Sequence, residues 1–269
     1  MAYVYPKLPA VKTSSFFRIG GYGLANCLYV YARAIAIANK YNLPIIKPTW
    51  FNLSLGPYLR REKDKRHYLG LIDSHNEISG IKKFYLLNTL KHVSEYDDFE
   101  PNDNIIIEVS QLGEYFAPII PCHDIVSKYL YDHIEKKNLL LVEDFNFTNC
   151  IAAHVRLGDY VPERRVPLSW YKEKILSYLE NTPNTTVLLF SDGRDEELKE
   201  LLEISSVRRV FFGNSIADIV AISKCKFLIG SDSTFSAWGA YLGQVPSVFL
   251  RLKCKPVLIK REEETVELV

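Results

Sequence analysis

From about residue 150 onward the chain alternates apolar runs with amphipathic stretches, and the short spacing between them leaves few architectures open. Residues 151–155, 186–190, 209–212, 226–229 and 247–250 are apolar or β-branched and read as strands. Between them, 169–180, 195–203, 216–223 and 233–242 read as helices. The second of these opens with acidic residues, which the positive end of a helix dipole favours. Strand and helix in strict alternation, with short connections, predict a parallel sheet covered by helices on both faces. The first half has the same character with less regularity. Leu24, Leu28, Tyr31, Ile35 and Ala38 recur at steps of four and three, giving one apolar helical face behind the turn Gly20-Gly21-Tyr22-Gly23. Residues 44–46, 84–87 and 104–108 read as further strands. A composition break between residues 135 and 146 places the join of two α/β domains near residue 145, hence 1–145 and 146–269.

With 269 residues, 48% hydrophobic and 24% charged, the chain is globular and long enough for two ordinary domains. Lys and Arg number 33 against 32 acidic residues, a net charge of +1. Such a balance exerts no global pull on nucleic acid or on an anionic membrane, so an anionic ligand must be met by a local cluster. The five cysteines (Cys27, Cys122, Cys150, Cys225 and Cys254) form no C-x-x-C pair, and the spacing of His67, His75, His92, His123 and His133 suggests no metal site. Reduced thiols, an N-terminus without a leader-like apolar core and no bilayer-length apolar stretch lead to the expectation of a cytoplasmic protein with at most peripheral membrane contact.

Three apolar runs of the second half end in polar residues: His154-Val-Arg156-Leu-Gly158-Asp159, Phe190-Ser-Asp192-Gly193, and Gly230-Ser231-Asp-Ser233-Thr234-Phe235-Ser236. In a parallel sheet such ends converge on one edge, so groups separated in sequence form one site. Arg156 offers a guanidinium that grips a diphosphate with two parallel bonds and stays charged at any working pH. The third segment opens a helix, whose free N–H groups suit a phosphate; plain capping by Ser233 and Thr234 is the alternative. The basic run Arg60-Arg61-Glu62-Lys63-Asp64-Lys65-Arg66 reads as a solvated loop or as a meeting point for an anionic, lipid-diphosphate-linked acceptor. Arg164-Arg165 reads as an exposed loop or a flap over a donor.

These segments together resemble the motifs of the α-1,2-fucosyltransferases. His154-Val-Arg156-Leu-Gly-Asp159-Tyr160 is similar to H-x-R-R-G-D-Y, and Gly23-Leu-Ala-Asn26-Cys-Leu-Tyr-Val-Tyr31-Ala32 to the opening G-L-G-N-Q-L-F-Q-Y-A. Phe190-Ser-Asp192-Gly resembles F-S-D-D, and Ser231-Asp-Ser-Thr234-Phe-Ser236-Ala-Trp238 resembles S-N-S-T-F-S-W-W. The ordered set spans residues 23 to 238. The resemblance implies a GT-B-like α/β fold, two Rossmann-like α/β domains facing across a donor cleft, with GDP-L-fucose as donor. It implies that Arg156 holds the departing diphosphate, that His154 and Asp192 read guanine, that Ser233, Thr234, Phe235 and Ser236 bind the phosphates, and that Gly23 and Asn26 approach the diphosphate from the first domain. Asp159 is a candidate base for the acceptor hydroxyl, or a partner that orients Arg156. The reaction expected is inverting transfer to a glycan acceptor, at O-2 of a β-galactoside, as in surface polysaccharide synthesis. No D-x-D pair occurs, so no metal or other cofactor is expected, and no nucleic acid partner. The sequence departs from the motifs at Leu157 (an Arg), Ala25 (a Gly), Cys27 (a Gln) and Gly193 (an Asp). These departures leave open a related GDP-linked 6-deoxy or dideoxy hexose such as GDP-colitose, and a non-catalytic nucleotide- or sugar-binding module remains the alternative from another class.

Overall fold

A computed structural model describes residues 1–59, 64–73, 75–158, 162–231 and 233–250, and the backbone of 265–267. The chain divides into two compact units, Met1–Glu135 and Lys136–Val269. The division falls after Glu135, at the lower edge of the ten-residue margin about the join expected near residue 145.

The first unit runs β1 (Tyr3–Pro6), β2 (Lys12–Thr13), β3 (Arg18–Ile19), α1 (Leu24–Tyr41), β4 (Asn52–Leu53), α2 (Gly56–Leu59), α3 (Gly80–Thr89), β5 (Lys91–Ser94), β6 (Ile105–Val109) and α4 (His123–His133). Its main sheet is parallel in the order β1-β6-β5, and a small second sheet is ordered β2-β3-β4. Helix α1 forms where the three-and-four spacing demanded it: Leu24, Leu28, Tyr31, Ile35 and Ala38 are all buried. It ends at Asn42 in the left-handed region (φ 51), whose N–H returns to the carbonyls of Ala38 and Asn39. Arg33 lies buried on α1 and grips Glu95 with two bonds (Nε–Oε2 3.0 Å, Nη2–Oε1 2.9 Å), locking the helix to the segment after β5. The segment 84–87, expected as a strand, belongs instead to α3. A short apolar run does not distinguish the two periods; here Lys83 and Leu86 turn inward while Ile81, Phe84 and Tyr85 stay exposed, a helical spacing.

The second unit runs α5 (Lys136–Glu143), β7 (Cys150–Val155), α6 (Leu168–Asn181), β8 (Thr186–Ser191), α7 (Lys199–Leu202), β9 (Val207–Arg209), α8 (Ser215–Ser223), β10 (Leu228–Gly230), α9 (Thr234–Gly243), β11 (Ser247–Leu250) and β12 (Thr265–Glu267). Every pairing in its sheet is parallel, and the order is β12-β11-β10-β7-β8-β9 among the described residues. All six residues of β7 are buried, as expected for a strand with both faces covered. Ile151, Ala153, Val187, Leu189 and Ile229 share one core with Tyr171, Ile175, Leu198 and Leu201. Two expectations shift. The helix expected at 195–203 is confined to α7, because Asp195 is drawn into an ion pair with Arg209 and the chain turns before Leu198. The strand expected at 209–212 sits earlier, at β9. Phe212 leaves the sheet edge to join the rings of Phe145, Phe147 and Phe190, and its N–H donates to Asp218 Oδ1 at 2.7 Å.

Numbered from β7, the sheet order reads 3-2-1-4-5-6, with the direction of winding reversing between β7 and β10. In open α/β sheets ligands bind outside the carboxyl ends of the strands at such a reversal.

Candidate active site

The register puts the three expected segments at that edge. His154 pairs with Phe190 on β8 and with Gly230 on β10, so Arg156, Asp192 and Ser231 each lie just beyond the carboxyl end of a neighbouring strand. His154 is buried. Its Nδ1 and Ser236 Oγ share a hydrogen bond of 2.5 Å, its ring stacks on Phe235 with centroids 4.9 Å apart, and Tyr171 Oη donates to its carbonyl at 3.0 Å. Burial, reinforced by the charge of Arg156, pushes its pKa down to about 4 against the smaller upward pull of Asp192. His154 is therefore a neutral imidazole at physiological pH, held by α9 and α6.

Arg156 Nη1 stands 2.6 Å from Asp192 Oδ2. Asp192 Oδ1 accepts the N–H groups of Leu157 (2.9 Å) and Gly158 (3.0 Å). Burial alone would raise the pKa of Asp192; the Arg156 charge and the two amides outweigh it and hold the carboxyl below its ordinary value. One carboxylate thus fixes both the guanidinium and the backbone of the turn that carries it. Asp192, expected to read guanine, has Oδ1 on the two amides and Oδ2 in the ion pair with Arg156 but without a hydrogen bond among the described residues, a geometry compatible both with positioning Arg156 and with meeting a donor of the base.

The third segment opens a helix. Ser233 caps α9, its Oγ accepting from Phe235 N at 3.3 Å, and Thr234 opens the helix. The first turn of α9 contains no acidic residue. Ser231 Oγ is buried and has no hydrogen-bond partner among the described residues. A helix start of this kind, with a buried hydroxyl beside it, is of the sort that suits an anion.

Two departures from the motif touch one another. Leu157 is buried in the core of the unit, and a Cβ added at Gly193 would meet Leu157 Cδ1 at 2.6 Å. The glycine makes room for the leucine, so the two departures are compatible in packing. Asp159 lies outside the described residues, as do Arg60, Arg61, Lys63 and Cys254. Arg165 pairs with Glu197 at 3.4 Å.

In the first unit Gly23 is the N-cap of α1 and carries no side-chain cap. The conformational demand falls on Gly21 instead, at φ +97, where a Cβ would strike the Pro9 carbonyl. Tyr68 Oη accepts from Leu24 N at 2.9 Å, and Asn26 Oδ1 is buried without a partner among the described residues. Sequence reasoning missed Tyr68 and Tyr171, because nothing local marks a tyrosine whose hydroxyl serves a distant backbone. Among the described residues, no three His, Cys, Asp or Glu side chains cluster so as to hold a metal ion.

A doubly wound parallel sheet with Arg156 fixed at its winding reversal, beside the start of α9, is the kind of unit that places ligand-binding groups at one sheet edge. The chain belongs to glycosyl transferase family 11, whose family model matches residues 121–259. It is 30% identical over 152 residues to the O-antigen biosynthesis glycosyltransferase WbnK of Escherichia coli, a match covering 52% of this chain and 45% of that relative. In fold, the chain is similar to the NodZ alpha-1,6-fucosyltransferase soaked with GDP-fucose (TM-score 0.59, 11% identity, covering 95% of this chain and 97% of that one). It is likewise similar to FUT1 of Arabidopsis thaliana in complex with GDP (TM-score 0.59, 14% identity, 93% of this chain and 70% of that one).

Proposed function

We propose that this glycosyltransferase moves L-fucose from GDP-L-fucose, with inversion, to O-2 of a β-galactoside in a glycan acceptor, during cytoplasmic assembly of a surface polysaccharide. The observation that carries the reading is Arg156, anchored by Asp192 at the winding reversal beside the start of α9. In the step proposed, the acceptor oxygen attacks C1 of the sugar as the bond from C1 to the β-phosphate oxygen breaks. Negative charge then grows on GDP, and the Arg156 guanidinium with the N–H groups of α9 stabilises it as it develops. The acceptor proton passes to a base, for which Asp159 is the candidate. Neutral His154 contributes shape and a polar edge for the base of the nucleotide. The reading assigns the stabilisation of GDP to these groups and includes no metal. The O-antigen role printed for the Escherichia coli relative and the GDP ligands of the two solved structures support donor and pathway class. The pairing of Leu157 with Gly193 favours, as a second reading, a related GDP-6-deoxy or dideoxy hexose. Incubation with GDP-fucose and a β-galactoside, followed by GDP release and product mass, tests both. Release of GDP with a product one deoxyhexose heavier is expected; no turnover with GDP-fucose alongside turnover with another GDP-hexose would transfer the conclusion to the second reading.

A further inference from the structure

Ser236 commits its hydroxyl to a ring nitrogen. It is the third residue of α9 and fully buried, and its Oγ stands 2.5 Å from His154 Nδ1 on β7. The strand beside β7 is shaped for this approach. Gly230 on β10 pairs with His154, and a Cβ added there would strike the Phe249 ring and stand 3.2 Å from Ser236 Cβ. The glycine lets α9 close onto β10 near enough for the hydroxyl to reach the neighbouring strand. The imidazole plane is fixed as well, by the Phe235 ring stacked at 4.9 Å and by Tyr171 Oη, which holds the carbonyl of the same residue.

That bond has a polarity. His154 is neutral, so one ring nitrogen carries a proton and the other a lone pair. Ser236 Oγ makes no other hydrogen bond among the described residues. If Nδ1 donated to Oγ, the hydroxyl hydrogen would be stranded in the interior without an acceptor. If the hydroxyl donates to Nδ1, both groups are satisfied. The imidazole proton then sits on Nε2, which has no hydrogen-bond partner among the described residues. We propose that Ser236 is a positioning residue: by donating to Nδ1 it holds His154 as the Nε2–H tautomer, so that the ring offers a ligand a donor and not an acceptor. On the GDP-sugar reading above, on which this step rests, the group that suits such a donor is the 6-oxo oxygen of guanine. Adenine carries an amino group there, so that a donor would face a donor. Ser236, expected to touch phosphate, instead acts on the base, and does so through His154.

Long-range proton–nitrogen NMR of the full chain, labelled in its histidines and free of nucleotide, reads the tautomer directly. The His154 signals are those lost in His154→Gln. At neutral pH, Nδ1 is expected at the shift of an unprotonated ring nitrogen and Nε2 at that of a protonated one. In Ser236→Ala, a small change within a helix, both should move toward an average of the two tautomers. Calorimetric titration with GDP, IDP and ADP should show the two 6-oxo nucleotides binding the wild type more tightly than ADP, and Ser236→Ala should shrink that preference by about threefold to tenfold. A merely structural Ser236 would lower the melting temperature and leave tautomer and preference unchanged. A wild type protonated at Nδ1 overturns the proposal, as does a tautomer or a preference over ADP that Ser236→Ala leaves unaltered. If the wild type binds none of the three nucleotides, the GDP-sugar reading fails, and the NMR result still decides whether Ser236 sets the tautomer.

Discussion

Asp192→Asn separates two roles for one carboxylate. If Asp192 positions Arg156, the variant removes the charged partner at 2.6 Å but keeps an oxygen to accept from Leu157 and Gly158. A charge-assisted hydrogen bond contributes about 1.5–3 kcal/mol. Both side chains of the pair remain about a fifth exposed (20% and 18%), so water replaces part of what is lost and the lower end applies. At about 1.4 kcal/mol per decade, kcat should fall by roughly tenfold to thirtyfold, because the guanidinium then wanders from the departing phosphate. GDP affinity should change less, and preference for GDP over ADP and UDP should persist. If instead Asp192 accepts the two adjacent donors of guanine, the pattern inverts: affinity for GDP collapses toward that of UDP while bound substrate still turns over. Single-turnover kinetics with calorimetric titration of the three nucleotides distinguishes these outcomes. Loss of base selectivity with unchanged kcat refutes the positioning role. Asp192→Ala is the less informative variant, since it strands two amide donors and adds about 1–3 kcal/mol of destabilisation to any functional loss.

Further outcomes follow from the same geometry. Arg156→Lys keeps the charge and loses the two-pronged grip, so most of kcat should disappear while the thermal melt is unchanged; wild-type rates in that variant would make Arg156 structural. Turnover should survive excess EDTA, and complete loss restored by Mn²⁺ or Mg²⁺ would mean that a cation bridges the diphosphate. Because the His154 pKa falls from 6.5 to about 4 on folding, the unfolded chain binds the extra proton between those values. Stability contributed by the neutral imidazole is therefore complete above pH 6.5 and is lost as pH falls toward 4, on the order of 3 kcal/mol in all. His154→Gln should flatten that part of the pH dependence in urea denaturation curves, and an unchanged slope would show that His154 is not the group responsible.

What the sequence disclosed and what it hid divide along physical lines. Strands β7, β8, β10 and β11 were legible because a parallel sheet covered on both faces needs unbroken apolar runs, and residues such as Ile151, Ala153 and Leu189 supply them. Their polar terminations were legible for the same reason, since the run must stop where the sheet meets solvent. Strand β1 was not: Tyr3-Val-Tyr-Pro6 is four residues ending in proline, and only its pairing with Ile106 to Val109 makes it a strand. The helix at 80–89 was hidden because Phe84 to Leu87 satisfies either period, and the decision rests on what Leu86 packs against. At the site itself, composition named Arg156, His154 and Asp192 but not their mutual commitments. Whether a carboxylate at a strand end faces a ligand or a neighbour depends on the register between β7 and β8, which brings Asp192 level with the amides of Leu157 and Gly158. That register also explains the substitutions that looked like erosion of the motif. Leu157 and Gly193 meet across the same pair of strand ends, and Gly193 lacks the Cβ that would strike the leucine. The two departures therefore accommodate one another in packing, and neither disturbs the carboxylate that anchors Arg156.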